Sequence, residues 1–335
     1  GDVYEGEWVE DRKQGLGTFR YSNGDVYTGG WKDDLRCGQG TLEIANGGVY
    51  KGEWQQDKPN GFGTFSYVEG HEYSGTWIGG LRDGPGTLTM SNGDVYEGEW
   101  RVDKYHGQGM YRWAEGIVDT GEFTHGFLEG VGTRRWPDGD TYSGQWVAEK
   151  QHGQGVYTYS NGDIYEGAWE NDKRNGLGCL QMRNGDKYQG HWVDDTFHGQ
   201  GQYVWASGEV YEGNFSNGKR EGSGRWHLGD AEHYEGSWRE NKKEGTGVYT
   251  YENGRVYDGE WKDDLRHGKG TLTCPGGTVY SGQWQDDKQH GEGQSVLADG
   301  GRYKGQFVEG KFHGHGHREW TDGSDYQGQW QANLR

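Results

Sequence analysis

YEGEWVEDRKQGLGTFRYSNGDV, residues Tyr4 to Val26, holds the pattern from which the fold follows. Tyr4, Gly6 and Trp8 stand at alternate positions, Gly15 and Gly17 flank one residue, and Phe19 and Tyr21 alternate again. Alternation with period two is the strand signal, and two such runs joined by a bend make a hairpin. The pattern returns at Tyr27, Tyr50, Tyr73 and Tyr96, and again at Tyr142, Tyr165, Tyr188, Tyr211, Tyr234, Tyr257, Tyr280, Tyr303 and Tyr326. Every step is 23 residues, and only Asp119 breaks the run. The expected fold is all-β: an elongated, single-layer antiparallel β-meander solenoid of 23-residue hairpin repeats with no helices. It is expected to run as one continuous domain over residues 1–335, with repeats starting at 4, 27, 50, 73, 96, 119, 142, 165, 188, 211, 234, 257, 280, 303 and 326, the last incomplete.

The dipeptides Asn23-Gly24, Asn92-Gly93, Asn161-Gly162, Asn184-Gly185 and Asn253-Gly254 are expected to supply the positive φ angles of tight hairpin turns. The other bend of each repeat carries Asp, Asn or Gly, as at Glu10-Asp11, Gly80, Gly126, Gly218 and Asn241. Tyr, Gly and Trp share one face. With no second layer, their rings must lie on neighbouring backbone, and Gly6, Gly15 and Gly17 are expected to make room for Tyr4 and Trp8. The opposite face takes Glu5, Glu7, Glu97, Glu99, Glu212, Asn214, Asp258 and Glu260 and is expected to be solvated. Roughly 29 strands at about 4.8 Å predict a rod on the order of 140 Å long.

Departures cluster. Asp119 and Phe123 stand where Tyr and Trp belong, Phe215 and Phe307 replace Trp, and a turn is displaced at Gly229-Asp230-Ala231. The sixth repeat is expected to be a weak point or a bend.

Acidic side chains outnumber basic ones, 53 to 34, for a net charge of −19, which repels nucleic acid and disfavours anionic lipid. Against this, Lys58, Lys104, Lys150, Lys173, Lys219, Lys242, Lys288 and Lys311 hold one place in their repeats and form a candidate lipid-facing row. Cys37, Cys179 and Cys274 lie in separate repeats, too far apart along a rod to pair, which fits a reducing cytoplasm. There is no leader and no long apolar run, so neither secretion nor a membrane span is expected.

Two surfaces are candidate sites. The aromatic stripe suits an amphipathic helical segment of a partner, and the groove is expected around Trp169, Trp192, Trp238, Trp261 and Trp284. Near the C-terminus His313, His315 and His317 alternate with glycine. Gly314 and Gly316 are the paired glycines of their repeat, and His313 holds a place also taken by His106, His152, His198, His267 and His290. The two additional histidines make a candidate zinc site. A flat strand cannot supply four tetrahedral ligands, so the rest would come from a neighbouring repeat or a second chain, giving a homodimer through the C-terminal repeats.

The repeated YxGxW followed by GxG resembles the MORN (membrane occupation and recognition nexus) repeat, over essentially the whole chain. The resemblance is to single-domain proteins of about fifteen such repeats. It implies a scaffold of protist cytoskeletons, cytoplasmic and near the base of a flagellum or cilium, whose partners are cytoskeletal or ciliary proteins. The family also admits axonemal, radial-spoke-type subunits and phosphoinositide-binding tethers. In other members the repeats precede a kinase or methyltransferase domain; here the grid leaves no segment to fold separately, so no enzyme is expected, although a role as regulatory subunit of one stays open. The GxG pairs open no helix and are not phosphate loops.

Overall fold

At Glu10 and Asp11 both φ angles are positive, 49° and 60°, and the chain reverses within two residues. The same left-handed pair returns at Asp33-Asp34, Gln56-Asp57, Asp263-Asp264 and Asp286-Asp287. This is the two-residue hairpin turn whose twist matches that of its strands. The Asn-Gly dipeptides, expected to take that role, form the wider bend instead, and only their glycines are left-handed: 95° at Gly24 and 96° at Gly93. In that bend Gly24 N–H donates to the Tyr21 carbonyl and Tyr21 N–H to that of Asp25. Asn23 accepts the Asp25 N–H on its side-chain oxygen at 3.0 Å, so it bends the chain without a positive φ of its own.

In the computed structural model, which describes residues 1–335, these bends join 29 strands, all antiparallel where paired, with no helix. The strands gather into two compact parts, Gly1–Gly162 with Trp169–Asp172, and Asp163–Ala168 with Lys173–Arg335. Within each part the sheet is a single-layer meander: neighbours in sequence are neighbours in the sheet, as where Tyr73 faces Leu88 and Leu88 faces Tyr96, or where Tyr234 faces Tyr249 and Tyr249 faces Tyr257.

The register slips once per hairpin. Gly29 faces Gly40, but the next residue, Gly30, faces Cys37, leaving Gly38 and Gln39 as a bulge. The first glycine of each pair makes that bulge; Gly38 has a φ of 65° and Gly84 one of 96°. Gly15 therefore opens no room for Tyr4, contrary to expectation; a Cβ on it would meet the Glu7 carboxylate on the other face. Gly6 and Gly17 do lie beneath the Tyr4 ring.

The core of this one-layer sheet is a ladder of rings. Tyr73 stands edge-on to Trp77 of its own repeat at 5.2 Å and to Trp100 of the next at 5.1 Å. In the second part Tyr234 does the same with Trp238 at 5.2 Å and Trp261 at 5.4 Å. Each edge-to-face pair adds about 0.5–1.5 kcal/mol beyond burial. Both polar atoms are satisfied locally. Tyr73 donates its hydroxyl to the Thr76 carbonyl at 3.0 Å, and Trp77 donates its indole N–H to the carbonyl of Gly63, a repeat earlier, at 3.1 Å. Tyr73 and Tyr234 are 0% exposed, a degree of burial that a single sheet reaches only because each ring is walled by its neighbours.

Candidate functional site

Nine residues after each tyrosine stands a side chain that closes the ring ladder from above. Arg36, Arg82, Arg174, Arg220 and Arg266 lay their guanidinium planes over Trp54, Trp100, Trp192, Trp238 and Trp284, at 4.3 or 4.4 Å from the ring centres. Lys13 and Lys243 sit likewise over Trp31 and Trp261. In other repeats an aromatic does the same work: Tyr105 stacks on Tyr96 and Phe197 on Tyr188, each at 3.9 Å, and Phe312 on Tyr303 at 3.7 Å.

Each cation of this roof is anchored by the following repeat's tight turn. Asp57 accepts both the backbone N–H of Arg36, at 2.8 Å, and its Nε, at 3.1 Å. Asp103 does so for Arg82, Asp195 for Arg174 and Asp287 for Arg266. At the opposite edge of the sheet the wider bends are stapled by carboxylates too. Asp94 accepts the Ala114 N–H at 2.7 Å and the Tyr111 hydroxyl at 2.9 Å, and Asp140 and Asp186 repeat this with Ser160, Tyr157, Ala206 and Tyr203. The Ala114 N–H holds the Asp94 carboxyl below the usual carboxylate range.

The roof changes the meaning of the five tryptophans expected to form an open groove. Trp169, Trp192, Trp238, Trp261 and Trp284 are buried, 1–5% exposed, and their indole N–H groups donate to glycine carbonyls of the preceding repeat. They are core, because the roof residues and neighbouring tyrosines cover both of their faces. The aromatics that solvent reaches on the same face form a different row, at the end of the second strand of the repeat: Tyr21, Tyr67, Trp113 and Trp136 in the first part, Trp205, Tyr251 and Trp320 in the second.

The lysine row lies one residue before the roof, on the other side of the sheet. Lys58, Lys104, Lys150 and Lys311 are exposed. Lys173, Lys242 and Lys288 pair with Asp194, Asp263 and Glu309 at 3.0, 2.8 and 3.0 Å, and Lys219 pairs with Glu240. Such exposed pairs contribute only about 0–1 kcal/mol, but they offset the positive charge of the row in the second part.

The three C-terminal histidines are not drawn together. His313 faces Gln306 at the bulge, His315 Nε2 lies 2.7 Å from the Gln329 amide nitrogen, and His317 Nε2 lies 3.2 Å from Asp325. The left-handed Gly314 between them breaks the even spacing of the rings. No group of three or more His, Cys, Asp or Glu side chains is placed to hold a metal ion. Cys37, Cys179 and Cys274 are free thiols, and no helix is long and apolar enough to cross a membrane.

In the sixth repeat the missing tyrosine is replaced by a buried ion pair. Asp119, 2% exposed, takes Arg134 through two bonds of 2.7 and 2.9 Å and the Trp113 indole N–H at 3.0 Å. Leu128 and Phe123 fill the remaining space.

Against protein-family models, the MORN repeat matches fourteen times, from residues 4–26 to residues 303–325, with Asp119 and residues 231–233 and 255–256 between the matched spans. No curated protein sequence matches this chain. Among solved structures, the TCP domain of Drosophila melanogaster SAS-4 (dCPAP), in complex with a proline-rich motif of Ana2, is 15% identical. That likeness covers 46% of this chain and 85% of that one, with a TM-score of 0.30. The TCP10 domain of Danio rerio CPAP is 12% identical over 66% of this chain and 93% of its own, with a TM-score of 0.23. At these scores the likeness bears on no function. The matched repeat is a structural and not a catalytic family.

Proposed function

This chain belongs to the MORN repeat family, and on that premise we propose that it is a non-catalytic scaffold of the cytoplasmic cytoskeleton, at a flagellum or cilium or its base. It holds helical segments of cytoskeletal proteins on its ring face. One observation carries the reading. A ring core whose polar atoms are satisfied within the sheet is topped by a row of partly exposed aromatics, Trp113, Trp136, Trp205 and Trp320 among them, that the fold covers only in part. Half-buried Trp and Tyr on a rigid frame are the anchors that protein interfaces favour. The surrounding surface is acidic, with a net charge of −19, so a bound helix would carry basic residues on its flanks.

The test is detergent extraction of cells expressing the tagged chain and a Trp136→Ala variant. Retention of the parent chain in the insoluble cytoskeleton, and release of the variant at unchanged melting temperature, is the expected result. Full release of the parent chain overturns stable cytoskeletal anchorage.

A further inference from the structure

Three departures from the repeat meet at one place in the second part. The first is Asn241, which stands where other tight turns carry Asp57, Asp103, Asp195 or Asp287. Asn241 keeps the structural duty of the aspartate: its φ is 71°, and its side-chain oxygen accepts the Arg220 N–H at 2.8 Å. What it drops is the charge. The Nε of Arg36, Arg82, Arg174 and Arg266 each rests on a carboxylate at 2.8–3.1 Å. The Arg220 guanidinium reaches only the backbone carbonyl of Asn241, at 2.7 Å.

The second departure is the bend Gly229-Asp230-Ala231. Here the strands Lys219–Leu228 and Glu232–Arg239 close over three residues. The ring that precedes the bend in neighbouring repeats, Trp205 or Tyr251, is replaced by Leu228, which is 41% exposed. The third is Trp226, which stands where the adjacent repeats have Tyr203 and Tyr249; their hydroxyls donate to Asp186 and Glu232, a bond that Trp226 does not make.

Arg220, whose backbone N–H Asn241 holds, and Trp226 line a cleft of about 360 Å³ with Trp205, Glu209, Lys243 and Asp264. Its two cations are half withdrawn from water. Arg220 lies 4.3 Å over Trp238 and 5.7 Å over Trp205; the Lys243 ammonium lies 4.7 Å over Tyr249 and makes no ion pair. Burial pushes both groups below their usual pKa. Two carboxylates line the cleft: Asp264, which accepts the Lys243 backbone N–H at 2.9 Å, and Glu209. Arg220 thus has one carboxylate fewer beside it than Arg36, Arg82, Arg174 and Arg266 have, and its Nε rests on none.

We propose that this cleft binds a carboxylate on an apolar stem, as a partner peptide presents at an acidic side chain or at its C-terminus. Arg220 and Lys243 take the carboxylate, Arg220 through its unspent N–H groups, and the stem lies between Trp205 and Trp226. The inference rests on the partner-binding reading and adds the chemistry of one anchor, which would fix the register of a bound segment.

Calorimetry on the whole chain tests it with three probes: Ac-Phe-Glu-Phe-NH2, Ac-Phe-Gln-Phe-OH and the carboxylate-free Ac-Phe-Gln-Phe-NH2. The decisive variant is Asn241→Asp, which hands Arg220 the carboxylate its relatives have, so its melting temperature should hold or rise. One acidic probe should bind measurably tighter than the third, its identity telling side chain from C-terminus, and Asn241→Asp should weaken it by about tenfold or more. Equal binding of all three probes, or an affinity that Asn241→Asp leaves unchanged, overturns the site. Trp136 lies outside the cleft, so loss of cytoskeletal retention and loss of probe binding are separate failures.

Discussion

Gly84 and Gly86 stand two residues apart and answer different demands. A Cβ on Gly86 would overlap the Tyr73 hydroxyl and ring, whereas one on Gly84 would only crowd the Thr76 Cβ, at 3.3 Å, but at a φ of 96°. Gly86→Ala displaces a core ring and should lower stability by roughly 2–3 kcal/mol, while Gly84→Ala costs only left-handed strain, about 1–2 kcal/mol. Urea midpoints of the two variants order the effects; a larger loss at Gly84 would mean that the bulge, not the ring, sets the spacing. The sequence shows both glycines and the rings they serve, but not the division of labour, because glycine answers both a positive φ and a close ring contact. The roof was hidden for a related reason. Arg36 or Arg82 reads as a surface cation until the bulge is known to turn it onto the ring face, and the readable lysine row lies one residue away on the other side.

At the scale of the element, the sixth hairpin was expected to be weak and is instead paired throughout, from Val118 facing Arg135 to Gly121 facing Gly132. Aspartate is accommodated at the tyrosine position because Arg134, which stands where other repeats have Leu88 or Leu180, pairs with it. Asp119→Ala strands the buried guanidinium and should cost about 3–5 kcal/mol, whereas the double change Asp119→Tyr with Arg134→Leu restores the ordinary repeat and should be neutral or stabilising. Denaturant titration of the single and double variants decides: additive losses would deny the pair its core role. The alternation, the hairpins and the placing of irregular repeats could all be read directly from residue spacing. The assignment of turn types could not, since Asp-Asp pairs in the left-handed region are rarer than Asn-Gly, and the inter-repeat bonds from Asp34 and Asp57 that favour them appear only when hairpins are laid side by side.

For the molecule as a whole, the ring ladder ties stability to pH at the alkaline end. Burial pushes the phenols of Tyr50, Tyr142, Tyr211 and Tyr303 up to about 12. In the unfolded chain they ionise near about 10, so the stability they confer is complete below that pH and is lost as pH rises toward the folded values. Tyrosinate absorbance should therefore rise together with the loss of β-sheet circular dichroism. A fraction of tyrosines corresponding to the buried ladder ionising near pH 10, with the sheet intact, would contradict the burial.

The bond from each core indole, as at Trp77, Trp100 and Trp146, to a glycine carbonyl of the repeat before it makes a repeat with that Trp the lock on its predecessor. Arginines of the roof recur at alternate repeats, Arg36 and Arg82 in the first part and Arg174, Arg220 and Arg266 in the second, as do the stapled tyrosines Tyr157 and Tyr111, or Tyr203 and Tyr249. Growth or shrinkage of such a chain by gene duplication has a natural quantum of two repeats. Adding one would put arginine against arginine, whereas each roof arginine has a ring, a neutral side chain or a lysine beside it.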